Sequence, residues 1–291
     1  MLTGIILVVL GLVALASLAV ALSRARLNHR HARWVRELLA ARRPAAGRAF
    51  RAADLEGLPD AVRRYLAAVI PEGQPYVTAV RLRQTGEFRL GGRTGSWKPF
   101  TARQYFTADP PGFVWDATIM MVPLLPVRVI DMYRGGAGAL QGKLLSTFTV
   151  AEAQGTPEID AGELTRYLSE CVWFPTALLP GQGVEWSAVE GGDDRSARAT
   201  LVHGRSQVSA VFYFDEEDHV SRIHAERWYQ KDDGGFELWP WTGQWRDYEA
   251  RQGLVVPTAG EVAWNLPEGN LTYWRGRVEE IEYEPAGEAG P

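Results

Sequence analysis

Residues 76–90 read YVTAVRLRQTGEFRL, and this stretch decides the fold class. Tyr76, Val80, Leu82, Phe88 and Leu90 share one parity, while Arg81, Arg83, Glu87 and Arg89 take the other. Successive side chains of a strand leave opposite faces, so the alternation predicts a long strand with one face on a core and one in water. Similar segments follow at 97–108, 113–121, 127–133 and 140–150, and again at 197–203, 207–214, 220–229, 239–248, 254–264 and 271–283. Glycine, proline and turn residues such as Asp215 and Asp218 separate them, and strands joined by short turns pair as an antiparallel meander. The expectation is a mainly β fold, a curved antiparallel meander of about eleven strands interrupted by one central helix at 162–173.

Residues 2–22, LTGIILVVLGLVALASLAVAL, carry no charge. At ~1.5 Å per helical residue such a run covers a hydrocarbon core of about 30 Å. A cleaved signal peptide is the competing reading, with small-residue sites at Ala14-Leu15-Ala16 and Ala19-Val20-Ala21. No Lys or Arg precedes the run, however, and it exceeds the usual apolar region of a signal, so a retained single-pass anchor over 1–23 is expected. Arg24, Arg26, Arg30, Arg33, Arg36, Arg42, Arg43 and Arg48 follow it against the single Glu37. By the positive-inside rule this places the globular part in the cytoplasm at the cell membrane, with the extracytoplasmic side as the alternative. Leu27, His31, Trp34, Val35, Leu38 and Leu39 recur with helical spacing. They predict a separate basic amphipathic helix on the bilayer, with Arg24, Arg26, Arg30, Arg33, Trp34 and Arg36 at the membrane surface. Each arginine there is worth about 1 kcal/mol with anionic lipid. A solvated basic stalk that only sets topology is the other reading.

The chain has 291 residues, 46% of them hydrophobic and 11% aromatic, enough for one sizeable domain after the anchor. Its net charge is −4; the eight arginines less Glu37 contribute +7, leaving −11 on everything else. A body so acidic argues against nucleic acid as a partner. The expected organisation is an anchor at 1–23, a basic juxtamembrane helix and linker at 24–57, a β-rich domain at 58–284 and a flexible tail at 285–291. The domain opens with a helix over 59–69, with proline in its first turn.

The central helical stretch, GELTRYLSECVWFPTALLP, offers the strongest candidates for chemistry. Glu163, Arg166, Glu170 and Trp173 share one face, with two carboxylates about 10 Å apart along the axis and an arginine between them. An arginine held by two glutamates is the ordinary reading; an acid–base pair with Arg166 as anion holder is the sharper one. Other candidates fail. The run GGAGALQGKL has Ala137 and Leu144 where a phosphate loop needs glycine and a hydroxyl. His219 and His224 lack metal spacing, so no metal site is expected. Cys171 stands on the helix's apolar stripe, without a partner cysteine. No cofactor is expected.

Trp239, Trp241 and Trp245 share parity in one strand, and Trp115, Trp228, Trp264 and Trp274 lie in others. These indoles either fill the core or, with Arg227, Asp131 and Gln244, line a pocket for an apolar ligand. Trp115, Trp173, Arg227, Trp239, Trp241, Trp245 and Trp264 are the candidate ligand-binding set. The series LPDAVRRYLAAVIPEGQPYVTAVRLRQTGEF, WKPFTARQYF, PGFVWDA, RYLSECVWFPTALLP, YEARQGLVVPTAGEVAW and YWRGRVEEIEY resembles an uncharacterised family of bacterial membrane-anchored proteins that carry a domain of unknown function. In architecture the pattern is similar to the open half-barrels of lipoprotein carriers and related lipid-binding proteins. That resemblance implies a sheet wrapped around acyl chains, with the helix as a cap. The functional expectation is non-covalent binding of a membrane lipid or other apolar ligand. An enzyme using Glu163 or Glu170, or a protein-interaction module with an unnamed partner, are the alternatives. A reporter active only in the cytoplasm, fused to the C-terminus, should give signal, and a periplasm-dependent reporter should not; the reverse pattern places the domain outside.

Overall fold

The alternating stretch forms β1 (Val77–Arg89), whose even-numbered side chains point into the core. With β2 (Trp97–Thr107), β3 (Gly112–Val122), β4 (Leu125–Arg134), β5 (Ala137–Leu144) and β6 (Phe148–Gln154) it makes a first antiparallel meander. A second comprises β7 (Val184–Ala188), β8 (Ser196–His203), β9 (Ser206–Phe214), β10 (Val220–Gln230), β11 (Phe236–Arg251), β12 (Leu254–Leu266) and β13 (Gly269–Pro285). This computed structural model describes residues 1–43, 47–231 and 233–285. The expected tail lies outside the described residues from 286 onward, as do 44–46 of the expected linker.

Pairing of β13 with β1 fuses the two meanders into one thirteen-stranded sheet, ordered β6-β5-β4-β3-β2-β1-β13-β12-β11-β10-β9-β8-β7. The helix between the meanders, α3 (Pro157–Glu170), packs against β4, β5, β9 and β10. On a flat sheet β4 and β9 would be roughly 38 Å apart, at about 4.8 Å per strand. Both reach one helix because the sheet curls into an open half-barrel with α3 on its concave face.

The expected fold class holds, with thirteen strands in place of eleven. The expected segment at 140–150 is a hairpin of β5 and β6, turned by Leu145 and Ser146 at φ of 52° and 57°. Neither is the glycine or asparagine that normally marks a left-handed turn, so the sequence hid it. The other extra strand, β7, is five residues long, too short for its alternation to stand out. The central helix starts earlier than expected: the Thr156 hydroxyl accepts the Ile159 N–H at 3.3 Å with Pro157 in the first turn. It ends at Glu170 and continues as a 3-10 turn, Cys171–Trp173. Helix α2 (Asp60–Val69) stands where expected, with Val62, Tyr65, Leu66 and Val69 fully buried.

Gly86 faces Gly276, and Gly276 faces Gly260 on β12. A Cβ on Gly276 would come within 2.5 Å of the Trp274 indole, and one on Gly260 within 2.7 Å of the Trp245 indole. The glycines leave room for two indoles to lie flat on the backbone.

The N-terminal helix corrects one expectation. Anchor and basic segment form one continuous helix, α1 (Leu2–Ala40). Leu27, Trp34 and Leu38 are buried against Val114 and Ile130 on the convex side of β3 and β4, with Tyr105 and Met132 alongside. Each such side chain contributes about 1.5–3 kcal/mol on burial. Trp34 is therefore covered by protein and not by lipid headgroups, because β3 and β4 carry apolar residues on both faces and need cover on the convex side. Arg24, Arg26, Arg30, Arg33 and Arg36 remain exposed. Residues 2–19 are exposed along their whole length and present apolar side chains to the surroundings.

Candidate functional site

Three polar residues stand on the core parity of their strands: Gln84 on β1, Gln104 on β2 and Asp131 on β4, exposed by 1%, 0% and 5%. Buried polar groups need partners, and Gln104 and Asp131 find theirs on α3 while Gln84 finds its own on β3. Gln104 donates to Glu170 at 2.7 Å, and Gln84 accepts the Trp115 indole N–H at 2.9 Å. Arg166 binds Glu170 at 3.0 Å through Nε and Asp131 through its other arm. Its guanidinium lies 4.9 Å from the Phe113 ring centre and 5.0 Å from that of Trp115. Arg227 donates to the Gly162 carbonyl at 2.8 Å and lies over Trp241 at 4.9 Å.

Above this polar floor is a cavity of about 330 Å³, inside the usual range for small-ligand sites. Its walls are apolar: Phe88 and Leu90 at the end of β1, Ile119 near the end of β3, Trp264 near the end of β12, and Tyr273 and Trp274 at the start of β13. The cavity thus lies against one rim of the half-barrel, apolar towards the rim and charged at depth. Asp131 Oδ1, Glu163 Oε2, Arg227 Nε and Trp245 Nε1 are buried there without a hydrogen-bond partner among the described residues.

Of the expected ligand-binding set, Trp115, Arg227, Trp241, Trp245 and Trp264 line the cavity. Trp173 lies behind its wall, edge-on to Trp245 at 5.1 Å with its N–H on the Pro257 carbonyl. Trp239 lies outside, against Tyr229. Gln244 is exposed on the convex side, opposite in parity to Trp241 and Trp245. Glu163, Arg166 and Glu170 all line the cavity and form a buried cluster, in which Arg166 is held by Glu170 and Asp131 and not by the two glutamates of the ordinary reading. Sequence reasoning missed Gln84 and Gln104, although a glutamine on apolar parity was a readable signal.

The cluster holds three carboxylates against two guanidiniums. Burial pushes the Glu163 carboxyl well above its ordinary range; Asp131 adds to this by its charge and as acceptor for the Glu163 proton, while Arg166 and Arg227 oppose it. Burial also raises Glu170, opposed by Arg166 and Gln104. Burial lowers the Arg166 value, but Glu170, Asp131 and Glu163 outweigh it and keep the guanidinium charged. A protonated Glu163 balances the cluster and gives a partner to both orphaned oxygens, Glu163 Oε2 and Asp131 Oδ1.

Residues 56–283 match DUF6920, described as a family of unknown function. The chain belongs to that family. No functionally curated protein matches it. Among solved structures it is similar to a LolA superfamily protein from Nitrosomonas europaea, at 9% identity and a TM-score of 0.41 over 78% of this chain and 94% of that one. It is also similar to a β-barrel-like protein of a domain of unknown function, DUF1849, from Brucella abortus, at 11% identity and a TM-score of 0.27 over 72% of this chain and 99% of that one. Neither likeness carries a function to this chain.

Burial raises the Glu163 carboxyl in the native state well above the 4.5 of an ordinary glutamate, so over that interval the folded chain binds a proton that the unfolded chain releases. Stability should therefore fall as pH rises from there through the raised native value, by about 1.4 kcal/mol per unit of elevation. Glu163→Gln keeps the neutral shape and a donor for Asp131. Urea titrations between about pH 5 and 8 should show a flatter stability profile for this variant than for the native chain. Identical profiles would mean that Glu163 is ionised in the fold.

Proposed function

We propose that the chain is a single-pass, membrane-anchored protein that binds a lipid or similar apolar ligand non-covalently in the concave cavity. The supporting observation is the gradient inside the cavity, from indoles and aliphatic side chains at the rim to an internally balanced polar cluster on α3. Such a site favours an acyl chain whose head is neutral and hydrogen-bonding, because a charged head would unbalance the cluster.

The position of α1 supports uptake from the adjacent bilayer. Leu38 packs at Gly112, where β3 starts, and Asn28 meets Arg128 near the start of β4. The helix runs along β3 towards the β3–β4 turn, so residues 2–22 leave the sheet at the rim that the cavity lies against. That rim exposes Val122, Leu124 and Phe148. Leu124 is 90% exposed and takes a positive φ of 67°, a conformation that favours glycine. An apolar side chain kept there at a conformational cost fits a tip that meets lipid. The cap on the concave face, α3, would shift to admit the chain. The orphaned oxygens of Glu163 on α3 and Asp131 on β4 favour a second reading, proton transfer between Glu163 and a bound ligand.

A chain lacking residues 2–22, titrated with fatty acids or phospholipids brominated along the acyl chain, should show saturable quenching of tryptophan emission. Trp115, Trp241, Trp245, Trp264 and Trp274 all line the cavity. Trp241→Ala should weaken binding by about 1–3 kcal/mol, the scale of one buried aromatic contact. A folded chain without saturable quenching at any of several chain lengths excludes the reading. Turnover of the ligand that Glu163→Gln abolishes, with binding retained, would favour the catalytic one.

A further inference from the structure

On the opposite side of the sheet, α1 and the convex face enclose a cleft of about 790 Å³ that belongs to neither the core nor the concave cavity. Its walls are graded along the helix. Val20, Met120, Leu124 and Pro126 line the end nearest the uncharged run. One and two helical turns beyond Val20, Arg24 and Asn28 line the cleft with the sheet residues Arg83, Arg103, Asp116 and Arg128. Arg83 pairs across strands with Arg103, and Arg103 with Asp116, so these side chains form a row on adjacent strands of the same face.

The charges in that row are not balanced. Asp116 is held by both arms of Arg128, at 2.7 and 2.8 Å, and His31 approaches it at 3.6 Å. Arg83 pairs with Glu280 outside the cleft. Arg24 and Arg103 have no ion-pair or hydrogen-bond partner among the described residues, and both are exposed to the cleft. Two unpaired guanidiniums directly above an apolar lip, where the helix leaves the hydrocarbon, match the boundary between acyl chain and phosphate in a lipid.

We propose that this cleft binds the phosphate of an anionic phospholipid whose acyl chains stay in the bilayer beside Val20, Met120 and Leu124. The proposal rests on the reading of residues 2–22 as a membrane span. Guanidinium groups from a strand and from the helix clamp the phosphate from two sides, and Asp116, already engaged by Arg128, disfavours a second anion. The headgroup thereby ties the convex face to the membrane and holds the cavity's rim against the lipid surface. The two lipid sites differ in chemistry: the concave one is electrically balanced, the convex one cationic.

The full chain is placed in nanodiscs of phosphatidylcholine with about one fifth phosphatidylglycerol, and native mass spectrometry reads the lipids that remain on the protein. Phosphatidylglycerol should be enriched over its share of the disc. Arg103→Gln or Arg24→Gln should cut the enrichment about fivefold, the effect of one arginine near an anionic surface. Arg36→Gln removes the same charge roughly 21 Å along the helix from the uncharged run and should change it less than twofold, beyond a screening length of about 8–10 Å. Equal losses in Arg103→Gln and Arg36→Gln, no enrichment in the native chain, or full displacement of phosphatidylglycerol by inorganic phosphate would overturn the site. Failure to enter discs of phosphatidylcholine alone would overturn the membrane span and the cleft with it. Trp241→Ala should leave the enrichment unchanged, so the fate of the concave cavity is read separately.

Discussion

Gly86, Gly276 and Gly260 stand side by side across β1, β13 and β12, and the rest of the structure depends on that row. It lies at the seam where the first and last strands join two meanders into one sheet. Without Cβ atoms the backbone admits the indoles of Trp274 and Trp245 at contact distance, and the sheet bends around them. The same indoles then form the cavity wall. Closure of the sheet and creation of the site are thus one event: a side chain at Gly260 or Gly276 would push an indole into the space available to a ligand.

The second constraint is that a helix carrying charge sits inside this curve. Carboxylates and guanidiniums out of water are costly unless they are mutually satisfied. Arg166 meets this by bridging Asp131 and Glu170 while stacking on Phe113 and Trp115, and burial beside Asp131 favours the protonated form of Glu163. What remains is a small set of unpartnered polar atoms at the bottom of an apolar chamber. Under the proposed reading, a ligand with an uncharged polar head would complete that set. On the convex side the logic reverses, because the free arginines there remain solvated and open to an anion.

Much of this was legible in the sequence. Alternation at 76–90 and in its successors gave the antiparallel meander, and the shared parity of Trp241 and Trp245 put both indoles on one face of β11. The faces of α3 were also readable, since Glu163, Arg166 and Glu170 share one side. Their burial was not: periodicity shows which residues face together, and the facing partner, Asp131 on β4, is supplied by tertiary packing. The β5–β6 turn was hidden because Leu145 and Ser146 adopt a conformation that those residues rarely take. Trp34 was assigned to the membrane because an amphipathic stripe looks the same whether it meets lipid or a sheet. The discriminating clue lay elsewhere, in Ile130 and Met132, which make β4 apolar on its second face.

The proposed occupant of the concave cavity is a lipid. The most direct test is mass spectrometry of the lipids retained by the chain lacking residues 2–22, expressed where the membrane is present and purified without added lipid, beside a Val262→Trp variant that fills the cavity from β12. Lipid binding there requires a defined lipid class in near-stoichiometric amount on the native sequence and its loss from the folded variant. Equal lipid content in both, or none in either, would contradict it.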